Sequence, residues 1–279
     1  MQAYSVLMSV YAKAEPEWFR RAVESMLEQT APPEDFVIVC DGPLTPALEA
    51  VLSFMVGAHP GLFQIVRLEE NVGIGAAANM GLGYCKYDLV AKMDADDIAL
   101  PQRCQKQLER FQEKLELTLL GTFISEFEDT PDKPFAVRAV PGDNESIRRF
   151  SRRRQSFNNM TVMYRKSAVE AVGGYRELRR NEDYDLYLRL LNAGCYAENL
   201  EQVLVYARVN RQACSRRASW ETFLGCVRSR WYALRVGFSS PVDFLVCVGG
   251  AFLIFIAPDR LQRCLYRRFL RRAPEPPEA

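Results

Sequence analysis

The chain has 279 residues, of which 48% are hydrophobic and 25% charged, a balance that excludes disordered and collagen-like classes and supplies a sizeable core. With 36 Lys and Arg against 35 Asp and Glu the net charge is +1, so no basic field over the whole chain marks a nucleic-acid binder. The single histidine, His59 beside Pro60, argues against a multi-histidine zinc site or a Ser-His-Asp triad and directs attention to carboxylates.

From Tyr4 to Met93 one pattern recurs: a short β-branched apolar run, a turn rich in Gly, Asp or Pro, then helical spacing. Strands are expected at Tyr4 to Ser9, Phe36 to Cys40, Phe63 to Leu68 and Tyr87 to Met93, and the near-continuous apolar character of the first two fits a parallel sheet covered on both faces. Pro16 opens a helix with Phe19, Val23, Met26 and Leu27 on its apolar face, and Pro101 opens another with Cys104, Leu108 and Phe111. After Leu117 the runs TLLGTFISEFED and FAVRAV read as strands, NESIRRFS as a helix and MTVMYR as a strand. A Gly-Gly-Tyr turn at 173–175 leads into NEDYDLYLRLLNAG, a helix stopped by Gly194. The expected organisation is one domain over 1–210, in two halves, 1–116 and 117–210. A basic and apolar helical extension over 211–272 and a tail over 273–279 follow.

From Arg211 onward there are twelve arginines, no lysine and five acids, a charge of about +7 against −6 before it, an asymmetry that points to a surface partner. The apolar run from Phe244 to Ala257 has 14 residues, short of the roughly 18 to 20 that span a bilayer, and fits either an interfacial segment or a helical hairpin packed on the preceding domain. The first residues lack the basic leader and cleavage site of a secretory signal, so none is expected. The eight cysteines show no CxxC spacing and read as reduced core thiols.

Chemistry concentrates where a parallel sheet binds ligands, beyond the C-terminal strand ends. Asp94-Ala95-Asp96-Asp97 follows a strand directly, and carboxylates two apart at such a junction hold a divalent ion through oxygen while leaving room for a diphosphate; an Asp-rich capped turn is the plain alternative. Asn181-Glu182-Asp183-Tyr184-Asp185 places three acids at a helix start, where the helix dipole accounts for one or two and a general base, its pKa raised by like-charge crowding, for another. Asp41 stands at the end of the second strand, in Asp41-Gly42-Pro43, placed to accept from a nucleobase ring N–H or simply to form a connector. Gly73, Gly75 and Ala78 match G-x-G-x-x-[G/A] with Asp94 19 residues past Gly75, which admits a dinucleotide-dependent oxidoreductase; the motif follows the third strand rather than the first, and one ribose-binding acid leaves the other carboxylates unexplained. Arg152, Arg153 and Arg154 read as a solvated charge run or as a contact for an anionic acceptor.

In order, SVLMSVYAK, VIVCDGP, NVGIGAAANMG, KMDADD, GGY and NEDYDLYLRL resemble glycosyltransferase family 2 over about residues 4–210, and LPQRCQKQ, FNNMTVMYRKSAV and LVYARV resemble its bacterial capsule, exopolysaccharide and lipopolysaccharide subgroup. The resemblance implies an α/β GT-A fold, a mostly parallel sheet flanked by helices, as a catalytic domain over 1–210 with a nucleotide-sugar-binding half (1–116) and an acceptor-binding half (117–210), and inverting transfer of a hexose or N-acetylhexosamine from a nucleotide sugar, UDP-linked, to a growing lipid-linked saccharide. It implies Mn²⁺ or Mg²⁺ on Asp94 and Asp96 with Asp97 alongside, and Asp183 as the base beside Glu182. Donor contacts fall on Ser9, Val10, Tyr11, Asp41, Asn71, Gly73 and Asn79. It places the enzyme in the cytoplasm, peripheral on the inner membrane face, with no nucleic-acid partner. Two departures stand out: Ser9 and Ala12 replace the usual Pro and Asn of the first motif, and Cys40 replaces an Asp of the second. The Q-x-x-R-W signature of processive synthases is missing its glutamine, with Val227 ahead of Arg230-Trp231, so one sugar per acceptor is expected. A catalytically inactive, membrane-associated scaffold of the same fold is the non-enzyme alternative.

Overall fold

The computed structural model describes residues 2–176, 178, 181–209 and 220–256. Four parallel strands, β1 (Tyr4–Val10), β2 (Asp35–Cys40), β3 (Phe63–Arg67) and β4 (Leu89–Asp94), lie in the order β3-β2-β1-β4 and are joined by helices α1 (Pro16–Leu27), α2 (Pro46–Ala58) and α3 (Ile74–Tyr84). Successive side chains of a strand face opposite ways, and β1 and β2 are apolar on both faces. Val6, Met8 and Ile38 therefore pack into one core with α1, α2 and α4 (Arg103–Glu113), while Leu7, Val37 and Val39 pack into a second with α3 and α7 (Glu182–Asn192).

The sheet then continues without a break. Strand β8 (Met163–Arg165) runs antiparallel between β4 and β6 (Leu117–Phe127), and β6 pairs in parallel with the long β9 (Tyr196–Arg208). Short β5 (Ile98–Ala99) closes against β9, and β7 (Ala136–Arg138) against β6. The fold is thus α/β with a mixed sheet, its N-terminal half parallel as the sequence implies. Helices α5 (Asn144–Ser151), α6 (Lys166–Ala171), α8 (Trp220–Arg235) and α9 (Pro241–Ile256) complete the described elements.

Several boundaries differ from the sequence expectation, and three of them have clear local reasons. Strand β4 starts at Leu89 because the Asp88 carboxylate accepts from Ser167 N at 2.9 Å and its carbonyl from Lys166 N, which anchors the start of α6. Helix α4 starts at Arg103, two residues past Pro101, whose carbonyl is taken by Thr30 N at 2.8 Å. In MTVMYR only Met163–Arg165 is strand, because Asn159–Thr161 forms a 3-10 turn in which the Thr161 hydroxyl donates to Asn158 O at 2.8 Å. Cys40, Cys85 and Cys104 are buried free thiols, as expected of core cysteines, whereas the free thiols of Cys195, Cys226 and Cys247 are only partly buried; Cys214 and Cys264 lie outside the described residues.

Helix α3 lies close on the sheet because of one glycine. A Cβ on Gly81 would come within 2.5 Å of Leu7 Cδ1 and Val39 Cγ2, both buried, whereas one on exposed Gly83 in the same helix meets nothing within 4 Å. Overpacking a core costs about 1–3 kcal/mol, while Gly to Ala inside a helix gains about 1 kcal/mol. Gly81→Ala is therefore expected to lower the urea midpoint and Gly83→Ala to raise it; equal midpoints for the two variants would show that the sheet face yields.

Candidate active site

The C-terminal ends of β1, β2 and β4 meet. Ser9 sits in register with Val39 on one side and Asp94 on the other, and Val10 with Cys40, so Ser9, Val10, Tyr11, Asp41 and Asp94 share one sheet edge. Val10 is buried, Tyr11 exposed, and the buried Ser9 hydroxyl lacks a protein partner. Asp41 is nearly buried and holds the next loop: its carboxylate accepts from Val72 N at 2.8 Å, Gly73 N at 3.2 Å and Asn71 Nδ2 at 2.9 Å. Gly42 makes this approach possible, since its φ is +85° and a Cβ there would lie 2.9 Å from Asn71 N. Three donors leave about one acceptor direction of the carboxylate for a ligand. Asn79 is a clamp between elements: its amide donates to Tyr175 O at 2.5 Å and accepts from Tyr175 N at 2.7 Å, tying the Gly173-Gly174 turn to α3.

Asp94 closes β4, and the next residues turn across the sheet edge. Asp96 is exposed by area yet close enough to protein that desolvation, and then the charge of Asp94, pushes its carboxyl up to about 6. Asp97 has a different task. It is buried and accepts from Arg208 N at 2.8 Å, fixing the end of β9; burial raises its carboxyl, and Asp96 and Asp94 add to the shift. From behind, fully buried Arg103 donates to Lys92 O at 2.7 Å, and Gln107 donates to Leu120 O and Thr161 O, so the LPQRCQKQ segment braces the strand that carries the acids.

The second acidic cluster divides in the same way. Asp185 is buried against Arg189 at 2.8 Å, and Arg189 donates to Val172 O and Gly174 O, so this acid and its arginine hold the glycine turn. Asp183 is half-buried, accepting from Gln155 Nε2 at 2.9 Å and from Tyr184 N at 2.7 Å. Its carboxyl is raised, chiefly by desolvation; the surrounding charges that act on it most are the cations Arg138 and Lys92, which lower it. The like-charge crowding expected from sequence is not the main cause. Glu182 packs against α3, where a Cβ on Gly75 would lie 3.2 Å from its side chain.

Two buried side chains join the clusters. Lys92 Nζ lies 3.7 Å from Asp94 Oδ1 and its charge reaches Asp183; the Tyr187 hydroxyl is held above its ordinary range by burial and then by charges that include Asp183, Asp94 and Glu182. Lys92, Gln155 and Arg138 were not anticipated. A lysine inside the apolar run LVAKM is a signal, because a buried cation needs a carboxylate; Gln155 and Arg138 carry none.

Among the described residues no group of three or more His, Cys, Asp or Glu side chains is arranged to hold a metal. A hard divalent ion does not require one, since Mg²⁺-type sites use one or two carboxylates and complete the shell with substrate phosphate and water. Asp94 and Asp96 fit that role: both donate oxygen, neither is sealed off, and the strain of their mutual repulsion is what a cation relieves.

A parallel-sheet edge with paired carboxylates at the strand end, and a further carboxylate within reach of the same buried lysine, suits transfer from a nucleotide-linked donor. The glycosyl transferase family 2 model matches residues 5–173, and the chain belongs to that family. A curated relative, an uncharacterized glycosyltransferase of Haemophilus influenzae, is 37% identical over 96% of this chain and 99% of its own length. Another, an Escherichia coli protein named UDP-Gal:alpha-D-GlcNAc-diphosphoundecaprenol beta-1,3-galactosyltransferase, is 30% identical over 96% of this chain and 97% of its own. Among solved structures, the Pyrobaculum calidifontis mannosyltransferase PcManGT, in complex with GDP-Man and Mn²⁺, superposes with a TM-score of 0.65 at 16% identity, over 91% of this chain and 70% of that one, which establishes the GT-A fold. The protein is a glycosyltransferase, and none of these comparisons supports a dinucleotide oxidoreductase or an inactive scaffold.

Proposed function

We propose that the enzyme is a metal-dependent, inverting transferase that moves a hexose or N-acetylhexosamine from a UDP-sugar to a hydroxyl of a lipid-linked saccharide in bacterial surface polysaccharide assembly. The observation that carries this reading is the meeting of Asp94 and Asp183 around Lys92 and Tyr187, which brings a metal-type carboxylate and a base-type carboxylate to one site. Ser9, Val10, Tyr11 and Asp41 frame the nucleobase, and Asn71 and Gly73 present the loop that Asp41 holds. Asp94 and Asp96 would hold a divalent ion, which would supply charge stabilisation to the leaving nucleoside diphosphate. Asp183, its basicity raised by desolvation and its geometry set by Gln155, takes the proton of the acceptor hydroxyl as that oxygen attacks the anomeric carbon opposite the diphosphate. One in-line displacement inverts the configuration. The donor and acceptor in the E. coli relative's name, a UDP-sugar and a diphosphoundecaprenol-linked sugar, accord with this choice.

Calorimetric titration of UDP, GDP and dTDP, each with and without Mn²⁺, tests the donor class. Metal-dependent binding of UDP above the others is the expected result; binding of none, or binding indifferent to metal, overturns the reading.

The C-terminal helices support a peripheral membrane position. Among the described residues no helix is long and apolar enough to cross a membrane. Helices α8 and α9 pack together through Trp231 on Phe244 and Phe223 on Phe252, yet Leu245 (68% exposed), Leu253 (63%) and Val242 (61%) face outward. Such burial in a headgroup layer is stabilised by apolar area and by nearby arginines. Leu245→Glu with Leu253→Glu is expected to reduce sedimentation with anionic vesicles several-fold at unchanged UDP affinity. Equal sedimentation of the variant removes these helices from the membrane account. The arginines from Arg260 to Arg272 lie outside the described residues.

A further inference from the structure

The arginine run at 152–154 has no task in the chemistry above, yet the fold holds it firmly. Buried Arg230 of α8 donates to three consecutive carbonyls, Ser151 O at 3.3 Å, Arg152 O at 2.9 Å and Arg153 O at 2.7 Å, and its guanidinium stacks 4.1 Å from the Tyr184 ring. Arg152, Arg153 and Arg154 are all exposed. Arg153 and Arg154, with Arg149, Phe150, Ser146 and Pro141, line an open groove of about 370 Å³. The charges there are only partly answered. Arg149 pairs with Glu145 on the surface, a contact worth little in water. Arg153 pairs with Asp243, and Arg154 lies 5.8 Å from the Phe150 ring with no carboxylate partner among the described residues.

The run's two neighbours give it meaning. On one side the next residue is Gln155, which holds Asp183. On the other, Asp243 and Cys247, both in contact with Arg153, belong to α9, the helix with the outward apolar face. Base, cationic groove and apolar helix therefore follow one another across the surface.

We infer that the groove of Arg149, Arg153 and Arg154 binds the diphosphate of a lipid-linked acceptor, between the saccharide at Asp183 and the lipid at α9. Planar guanidinium groups bind phosphate oxygens in pairs, and several on one rigid segment favour a diphosphate over an isolated headgroup phosphate. The inference rests on the proposed lipid-linked acceptor and adds the residues that recognise it.

The test uses the full chain in EDTA, so that phosphate is not drawn to the donor site through metal. Sedimentation is measured with phosphatidylcholine vesicles carrying either geranylgeranyl diphosphate or phosphatidylglycerol at equal charge. The wild type is expected to bind the diphosphate vesicles about tenfold more tightly, and Arg149→Gln with Arg154→Gln to lose that preference while keeping its phosphatidylglycerol binding. Inorganic pyrophosphate is expected to displace the wild type from the diphosphate vesicles at concentrations where monophosphate does not, a measurement that needs no variant. No preference in the wild type, an equal loss of both bindings in the variant, or no displacement by pyrophosphate overturns the inference. UDP titration with Mn²⁺ on the same samples reads the donor assignment separately, so loss of UDP binding with the vesicle preference intact would count against the donor and leave the groove standing.

Discussion

Asp183→Asn is expected to lower kcat by about 10²- to 10⁴-fold, the usual contribution of a positioned general base, while the affinity for UDP with Mn²⁺ stays within about twofold. The asymmetry follows from what the side chain touches. Asparagine keeps the shape and an oxygen able to accept from Gln155 Nε2 and Tyr184 N, so the start of α7 and its contact with α3 remain. It has no oxygen basic enough to take a proton. The proposed donor-binding groups lie on the ends of β1, β2 and β4, none of which Asp183 hydrogen-bonds. Single-turnover transfer with saturating donor, beside calorimetry, separates the two effects; a kcat within tenfold of wild type would assign the proton to another group, Glu182 being the nearest in sequence. Gln155→Ala is the milder companion: it frees one carboxylate oxygen and should lower kcat less than Asp183→Asn, with a shifted pH profile if its hydrogen bond sets the basicity of Asp183.

The four strand ends and the helices between them were readable because parallel strands buried on both faces leave continuous apolar runs, and β1 and β2 are such runs. The acidic clusters were readable as clusters, but their internal division was not. Asp94 and Asp97 look alike in Asp-Ala-Asp-Asp, and only the approach of Arg208 N, from a strand more than a hundred residues away, makes Asp97 a brace. Asp183 and Asp185 differ likewise, since Arg189 and Arg176 claim the second and leave the first to Gln155. Non-local partners of this kind leave no periodic mark. The sign of the electrostatics at Asp183 was misjudged for the same reason: neighbouring acids are visible in sequence, whereas Lys92 and Arg138 arrive from β4 and β7. Arg230 was read only as a fragment of a processivity signature, yet the fold uses it to hold the arginine run from inside.

Asp96→Ala is expected to abolish metal-dependent UDP binding, with the metal-independent remainder unchanged, because the proposed site holds the ion through two carboxylates and one alone would leave a weakly held hydrated cation. The free carboxyl near 6 adds a pH signature. Protons and metal compete for Asp96, so metal-dependent UDP affinity should be full above about pH 6 and fall by about tenfold per unit as pH drops below it. The sign for stability is opposite. A carboxyl whose folded value lies above its unfolded one binds more protons in the native state, so the metal-free protein loses stability as pH rises from about 4 through 6, and the ion restores it. Thermal unfolding with and without Mn²⁺ at pH 5 and pH 7.5 reads both: the stabilisation by Mn²⁺ should be larger at pH 7.5, and in Asp96→Ala it should vanish at both. Equal stabilisation by Mn²⁺ in the variant and the wild type would move the ion away from the end of β4 and leave the acid cluster as a turn.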